Sequence, residues 1–165
     1  MTDSIVHNSW LPSLFKIPHL VQKQEGGEVP VVDVKAAPAI FAALHGAIKL
    51  GLVRSCHDLS EGGLAVAAAE MAFAGGIGAD ILRPAAWSDL SDEVFLFSES
   101  TTRFLLEVTT ADAVRLEAHF GSLPLQRIGS TCKQPRLRIT GKSGEWIVWS
   151  PLDQLKEAWQ KPLRG

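Results

Sequence analysis

The chain has 165 residues, 46% of them hydrophobic and 21% charged, with a formal net charge of −2. Those values predict a soluble globular protein of one domain, long enough to bury a core. Basic and acidic residues are mixed along the chain and its apolar runs are broken well short of a membrane span, so neither nucleic acid nor a membrane is an expected partner. Met1-Thr2-Asp3-Ser4 lacks the basic start and apolar stretch of a signal peptide, which leaves the cytoplasm as the expected location. Cys56 and Cys132 stand far apart with no Cys-x-x-Cys and no zinc spacing, so they read as reduced thiols and no metal site is expected.

Residues 1 to 30 carry Pro12, Pro18, Pro30 and Gly26-Gly27 and hold no sustained period. Residues 1–25 read as a linker or the remnant of a preceding domain, and residues 26–165 as the domain proper, with a short helix over 10–16 as the alternative. A helix is predicted over residues 35–50, with Ile40, Phe41, Leu44, Ala47 and Ile48 as its apolar stripe, Pro38 in its first turn and Gly51 at its end. A strand over 52–56 would then deliver His57 and Asp58 to its C-terminal edge.

Leu64, Ala67, Ala68, Met71 and Ala72 recur at helical spacing, which predicts a central helix with one buried face, closed by Gly75-Gly76. Ser60 is its natural N-cap. An extended segment and two glycines before a helix make a ready anion site, although Glu61 would place a carboxylate in the first turn. The plainer reading of Gly62-Gly63 is a tight strand-to-helix turn with close packing.

Beyond it, residues 78–82 suggest a strand, 83–92 a polar connection, and 93–97 either strand or helix. Residues 98–103 form a second polar cluster, in which Glu99 and Arg103 could be a surface ion pair, and 104–108 are a buried strand. Thr110 or Asp112 caps a helix over 111–120 whose apolar positions are Ala111, Val114, Leu116 and Phe120. Strands follow at 125–129, 136–139 and 145–149, the last two joined by the turn residues Gly141-Lys142-Ser143-Gly144. Pro151 opens a terminal amphipathic segment with Leu152, Leu155 and Trp159. The fold class is an α/β (α+β) sandwich, a mixed sheet with helices.

Two tempting motifs fail. Gly141-Lys142-Ser143 lacks the P-loop glycine, since Arg136 stands there, and Gly76-x-Gly78 lacks the third glycine of a dinucleotide fingerprint, which would fall at Ile81. His57 beside Asp58 suggests acid–base chemistry, but neighbours on a strand point to opposite faces and need not touch, and Asp58 reads more simply as a turn-forming acceptor. No nucleophile is flanked by a recognisable base, so no catalytic residue is assigned.

Residues 54–80, with the pattern His-Asp-x-Ser-Glu-Gly-Gly-Leu followed by Glu70-Met71-Ala72, resemble the last domain of phosphoribosylformylglycinamidine synthase, the FGAM synthetase family. Val29-Pro30-x-Val32-Asp33 upstream and Leu96-Phe97-Ser98-Glu99-Ser100 with Arg103-Phe104 downstream extend the resemblance over roughly residues 26–150, and Ser55-Cys56 before His57 looks like the small-type enzyme. Aminoimidazole ribonucleotide synthetase and selenophosphate synthetase share the domain type but keep only fragments of the pattern.

The resemblance implies an AIR synthase C-terminal-domain-like fold within an ATP-dependent amidine-forming ligase of purine biosynthesis that uses ATP and Mg²⁺. The implied partners are the preceding ATP-binding domain, a glutaminase subunit and a small bridging subunit, with a homodimer possible. His57, Asp58, Ser60, Gly62 and Gly63 match the loop that faces the cleft between domains, and are the phosphate and nucleotide candidates. Glu99 and Ser100 match a Glu-Ser-Gln segment that touches substrate in the corresponding domain of the enzyme's first half, and with Arg103 are the substrate-cleft candidates; Thr101 replaces the glutamine here. The family's magnesium and substrate-histidine segments lie mostly in other domains, so the chain alone is expected to be inactive. The rival reading is an interaction domain pairing through Trp10, Leu11, Leu14 and Phe15. A free-standing kinase is disfavoured because its phosphate and metal residues are missing.

Overall fold

A computed structural model describes residues 4–8 and 31–164. Seven strands form one mixed sheet in the order β2-β4-β1-β5-β3-β6-β7. Every neighbouring pair is antiparallel except β3 and β6, which run parallel.

β1 (Ser4–Asn8) lies between β4 and β5, with Ser4 opposite Val108 on one side and Ser130 on the other. The sequence carries no sign of this strand, and it belongs to the same sheet as the rest of the chain. The segment over 10–16, with Trp10, Leu11, Leu14 and Phe15, lies outside the described residues.

α1 (Ala36–Lys49) starts where expected, held by Asp33, whose carboxylate accepts from the Lys35 and Ala36 N–H groups at 2.8 and 3.0 Å. β2 is Ser55–Asp58, three residues later than expected, because Gly51 and Leu52 close the end of α1 by donating to the Ile48 and Ala47 carbonyls. His57 and Asp58 therefore lie within the strand. α2 (Gly63–Gly75) begins after Gly62, which adopts a left-handed conformation at φ 75°. Ser60 does not cap it, and Glu61 precedes the helix instead of lying in its first turn. Gly76, also left-handed, ends it.

β3 (Gly78–Ile81) leads into a connection that is more than polar filler. Arg83 donates to Asp92 at 2.7 Å and to the Trp87 and Leu90 carbonyls, and its guanidinium lies 5.1 Å from the Phe95 ring centre. α3 (Asp92–Phe97) settles residues 93–97 as helix: Ser91 accepts from the Val94 N–H, and Asp92 and Glu93 sit in the first turn. After β4 (Phe104–Val108), α4 (Thr110–Phe120) starts one residue before the expected range and is capped by Thr109, not Thr110 or Asp112, through the Asp112 N–H at 3.0 Å. Leu116 and Phe120 face inward; Ala111 is exposed and Val114 is 72% exposed.

β5 (Gln126–Cys132), β6 (Arg136–Thr140) and β7 (Trp146–Pro151) follow, with the 141–144 turn closed by Gly141 donating to the Glu145 carbonyl. α5 (Leu152–Gln160) starts just past Pro151. Leu105 and Leu106 of β4 point to opposite faces and divide the core. Leu105 joins α2, α3 and α5 through Leu64, Ala68, Phe95 and Leu152; Leu106 joins α1 and α4 through Leu44, Ala47 and Leu116. The expected sandwich is therefore present, with helices on both faces. Leu64, Ile81, Leu106 and Ile139 are fully buried, each contributing roughly 1.5–3 kcal/mol of hydrophobic stabilisation. Alanines at 67, 68 and 72 let α2 lie close to the sheet.

Candidate functional site

β2, β1 and β4 share one end of the sheet, where Asp58 and Asn8 each pair with Phe104. The chain leaves β2 there, and Leu59 donates to the Arg103 carbonyl at 3.0 Å. Gly62 then donates its N–H to Glu99 Oε1 at 2.8 Å. The two polar clusters thus form one continuous rim, formed by 57–63 on one side and 98–103 on the other. Gly63 is buried beneath it, and a Cβ there would stand 2.7 Å from the Phe97 carbonyl carbon. Close packing is one role of the glycine pair; the other is the left-handed turn at Gly62.

Ser60, Glu61 and Glu99 are exposed, and Ser100 is half-buried. Glu99 and Arg103 are not a surface ion pair. Arg103 is buried, donating to the Ser98 carbonyl at 3.0 Å and to the Ser98 hydroxyl, and burial pushes its pKa down to about 10. It stays charged at neutral pH, because even that value lies well above 7.

His57 does touch its neighbour. Nδ1 lies 2.6 Å from the Asp58 carbonyl oxygen and 3.6 Å from Asp58 Oδ1, while Nε2 lies 2.8 Å from Glu70 Oε2. Partial burial lowers its pKa, but the Asp58 carbonyl and the Glu70 carboxylate outweigh that, and the value is raised overall. Asp58 itself is 59% exposed at its side chain, and among the described residues no backbone N–H donates to its carboxylate. Cys56 is exposed as a residue, yet its thiol is crowded by protein and faced by Asp58, which push it up to about 11 and away from the reactive range.

Sequence reasoning missed two participants. Glu70 stands inside the matched pattern, on α2, and reaches the polar cluster through His57. Trp159 donates its indole N–H to Glu70 Oε1 at 2.8 Å from the far end of the chain, and nothing in its local sequence signals that contact. A second missed cluster lies on the open half of the sheet, where Asp80 accepts from Arg136 and Arg138, and Arg138 stacks 4.1 Å from the Trp146 ring centre. Arg138 first, and then Arg136, hold the Asp80 carboxyl well below the usual carboxylate range.

The donor set does not fit a bound nucleotide and its metal on this chain alone. The Gly62 N–H already serves Glu99, and among the described residues no three His, Cys, Asp or Glu side chains converge on a cation site. No described helix is long and apolar enough to cross a membrane.

With the fold and rim in place, the class of protein is defined by comparison. Residues 13–142 match the family described as AIR synthase related protein, C-terminal domain, and the chain belongs to that family. More particularly, it is 36% identical over 141 residues to phosphoribosylformylglycinamidine synthase subunit PurL of Deinococcus radiodurans, covering 86% of this chain and 19% of that protein. It is 32% identical over 147 residues to the subunit of the same name from Alkaliphilus metalliredigens, covering 87% of this chain and 19% of that one. The chain spans about a fifth of the length of these curated relatives. Among solved structures, T. maritima PurL complexed with FGAR superimposes with a TM-score of 0.74 at 18% identity, over 93% of this chain and 27% of that one. T. maritima PurL complexed with AMPPCP gives 0.74 at 21% identity, over 93% and 25%. These likenesses bear out the expected family and the α/β fold.

Proposed function

We propose that this chain serves as the C-terminal domain of an FGAM synthetase, the ligase that converts formylglycinamide ribonucleotide to its amidine with ATP, Mg²⁺ and glutamine-derived ammonia. β1 with residues 26–165 is the domain, and it works in the cytoplasm. Its role is to supply one wall of a cleft. His57, Asp58, Ser60, Gly62 and Gly63 form one side of that wall, and Glu99, Ser100 and Arg103 the other. The preceding ATP-binding domain closes against it and brings the nucleotide and metal groups that the rim lacks; glutaminase and small bridging subunits complete the assembly. The chain alone is inactive.

The observation that carries this reading is the bond from Gly62 to Glu99, which joins the two segments matching the family's pattern into a single surface. The test is a chimaera in which this chain replaces the last domain of the Deinococcus radiodurans subunit. Amidine formation by the chimaera, with none by the isolated chain, is the expected result. A folded but inactive chimaera would overturn it. Calorimetric titration of the isolated chain with ADP and with ribose 5-phosphate in Mg²⁺ completes the test, and binding of either would show that the rim holds phosphate without its partner domain.

One observation favours a second reading, an interaction domain without a ligand site. Edge strand β7 carries Trp149 at 61% exposure beside exposed Trp146 and Ile147. Concentration-dependent association in sizing chromatography would support it.

A further inference from the structure

His57 is held between acceptors. Nε2 faces a Glu70 carboxylate oxygen at 2.8 Å, and Nδ1 faces the Asp58 carbonyl oxygen at 2.6 Å. A carbonyl accepts only, and an ionised carboxylate accepts only. A neutral imidazole has one N–H, so it can satisfy one of these contacts and must present a lone pair to the other. Only the imidazolium satisfies both.

The carboxylate of Glu70 is oriented from its other side. An indole N–H can only donate, so Glu70 Oε1 accepts from Trp159 at 2.8 Å, which leaves Oε2 as the oxygen turned toward His57 Nε2. Trp159 is placed by the remainder of its ring, which packs 5.7 Å from the Phe73 ring centre on the same face of α2. The path therefore runs from α5 to α2 to β2, and it ends at the rim.

We propose that Glu70 and Trp159 are positioning residues that hold His57 doubly protonated, as a fixed cation on a rim whose exposed charges are otherwise acidic. The charged groups that face the imidazole are Asp58 on its own strand and Glu70 on α2; its cross-strand neighbour on β4 is the apolar Leu105. The ring keeps 31% of its side-chain surface in solvent, so the charge is offered to whatever lies across the rim. Asp58, Glu61 and Glu99 would by themselves repel an anionic group brought there, and an imidazolium offsets that repulsion. The use of this charge rests on the reading of the rim as a cleft wall, whereas the charge itself does not.

The test is nitrogen-15 NMR of the His57 ring in the whole chain at neutral pH, above the ordinary imidazole pKa of about 6.5. Two protonated ring nitrogens are expected; a neutral ring with one bare nitrogen would overturn the proposal. In Glu70→Gln the proton affinity of His57 is expected to fall by about tenfold or more, and an unchanged affinity in a folded variant would remove Glu70 from the role. Trp159→Phe keeps an aromatic ring for Phe73 to pack against and removes the indole N–H together with its five-membered ring. There the His57 Nε2 proton signal is expected to broaden, and its persistence unaltered would remove Trp159. An inactive chimaera with a cationic His57 would overturn the cleft reading and leave this proposal standing; an active chimaera with a neutral His57 would do the reverse.

Discussion

Gly62 and Glu99 are 37 positions apart in the chain and meet in one hydrogen bond of 2.8 Å at the mouth of α2. The carboxylate stands where a helix N-terminus attracts negative charge, so the protein supplies its own anion there. Glu99→Ala is expected to lower stability to urea by about 0.5–1.5 kcal/mol. It also leaves the helix mouth open, so inorganic phosphate is expected to raise the melting temperature of the variant more than that of the parent. Equal shifts would show that the mouth has no affinity for an anion.

Two glycines of the same backbone sign separate strain from crowding. Gly63 has φ 61° and no room for a side chain, with the Phe97 backbone carbons 2.7 and 2.8 Å from a Cβ; Gly76 has φ 64° and nothing within 4 Å. Gly76→Ala is expected to cost about 1–2 kcal/mol, the strain alone. Gly63→Ala adds a clash with backbone that cannot swing aside, for roughly 2–5 kcal/mol in all. Thermal denaturation of the pair checks the ranking, and equal losses would contradict it.

The pH dependence has two arms of opposite sign. Asp80 has a depressed folded pKa, caused first by Arg138 and then by Arg136, so its contribution is present above the ordinary carboxylate value of 3.8 and is lost as pH falls through the folded value. Asp80→Asn is expected to be less stable at neutral pH, and the gap to the parent in urea midpoint should close on acidification. His57 has a raised folded pKa, so its contribution is full below the ordinary 6.5 and is lost as pH rises through the folded value. Stability of His57→Gln relative to the parent should therefore converge on the alkaline side.

Arg103 binds the Ser98 carbonyl and hydroxyl while lying almost wholly out of water. Arg103→Lys keeps the charge but not the planar fork, and is expected to cost about 1–3 kcal/mol. Because Ser98 adjoins Glu99, amide exchange at Gly62 should quicken in the same variant. Exchange unchanged at Gly62 would show that the two halves of the rim are not mechanically joined.

What the sequence disclosed and what it withheld follow a physical line. α2 and its Gly75-Gly76 end were legible because a helix writes its buried face into local spacing, and the 141–144 turn because turn chemistry is local. Local sequence points to Ser60 as the cap of α2, whereas what organises that end is Gly62 in a left-handed conformation, bonded to a carboxylate far along the chain. Leu52 is as apolar as a strand residue and so suggests an earlier start for β2, but its N–H is engaged in finishing α1. Residues 93–97 were ambiguous as a short apolar run, although Ser91 with Asp92 and Glu93 behind it held the answer. Glu70 sat within the recognised pattern, but its partners His57 and Trp159 lie 13 and 89 positions away, and no periodicity reports such a meeting.

β1 has a consequence for the order of events when the chain folds. Ser4 must find Val108 on one side and Ser130 on the other, so β1 cannot be paired until β4 and β5, far along the chain, have been made. Contacts this distant in sequence are slow to form, since the loop between them must be closed before any ladder bond is gained. Until then β4 and β5 each present an unpaired flank to the surroundings, which is the state in which strands recruit foreign partners. The sheet is closed at its middle, by its first strand, and that insertion is the late step of its assembly.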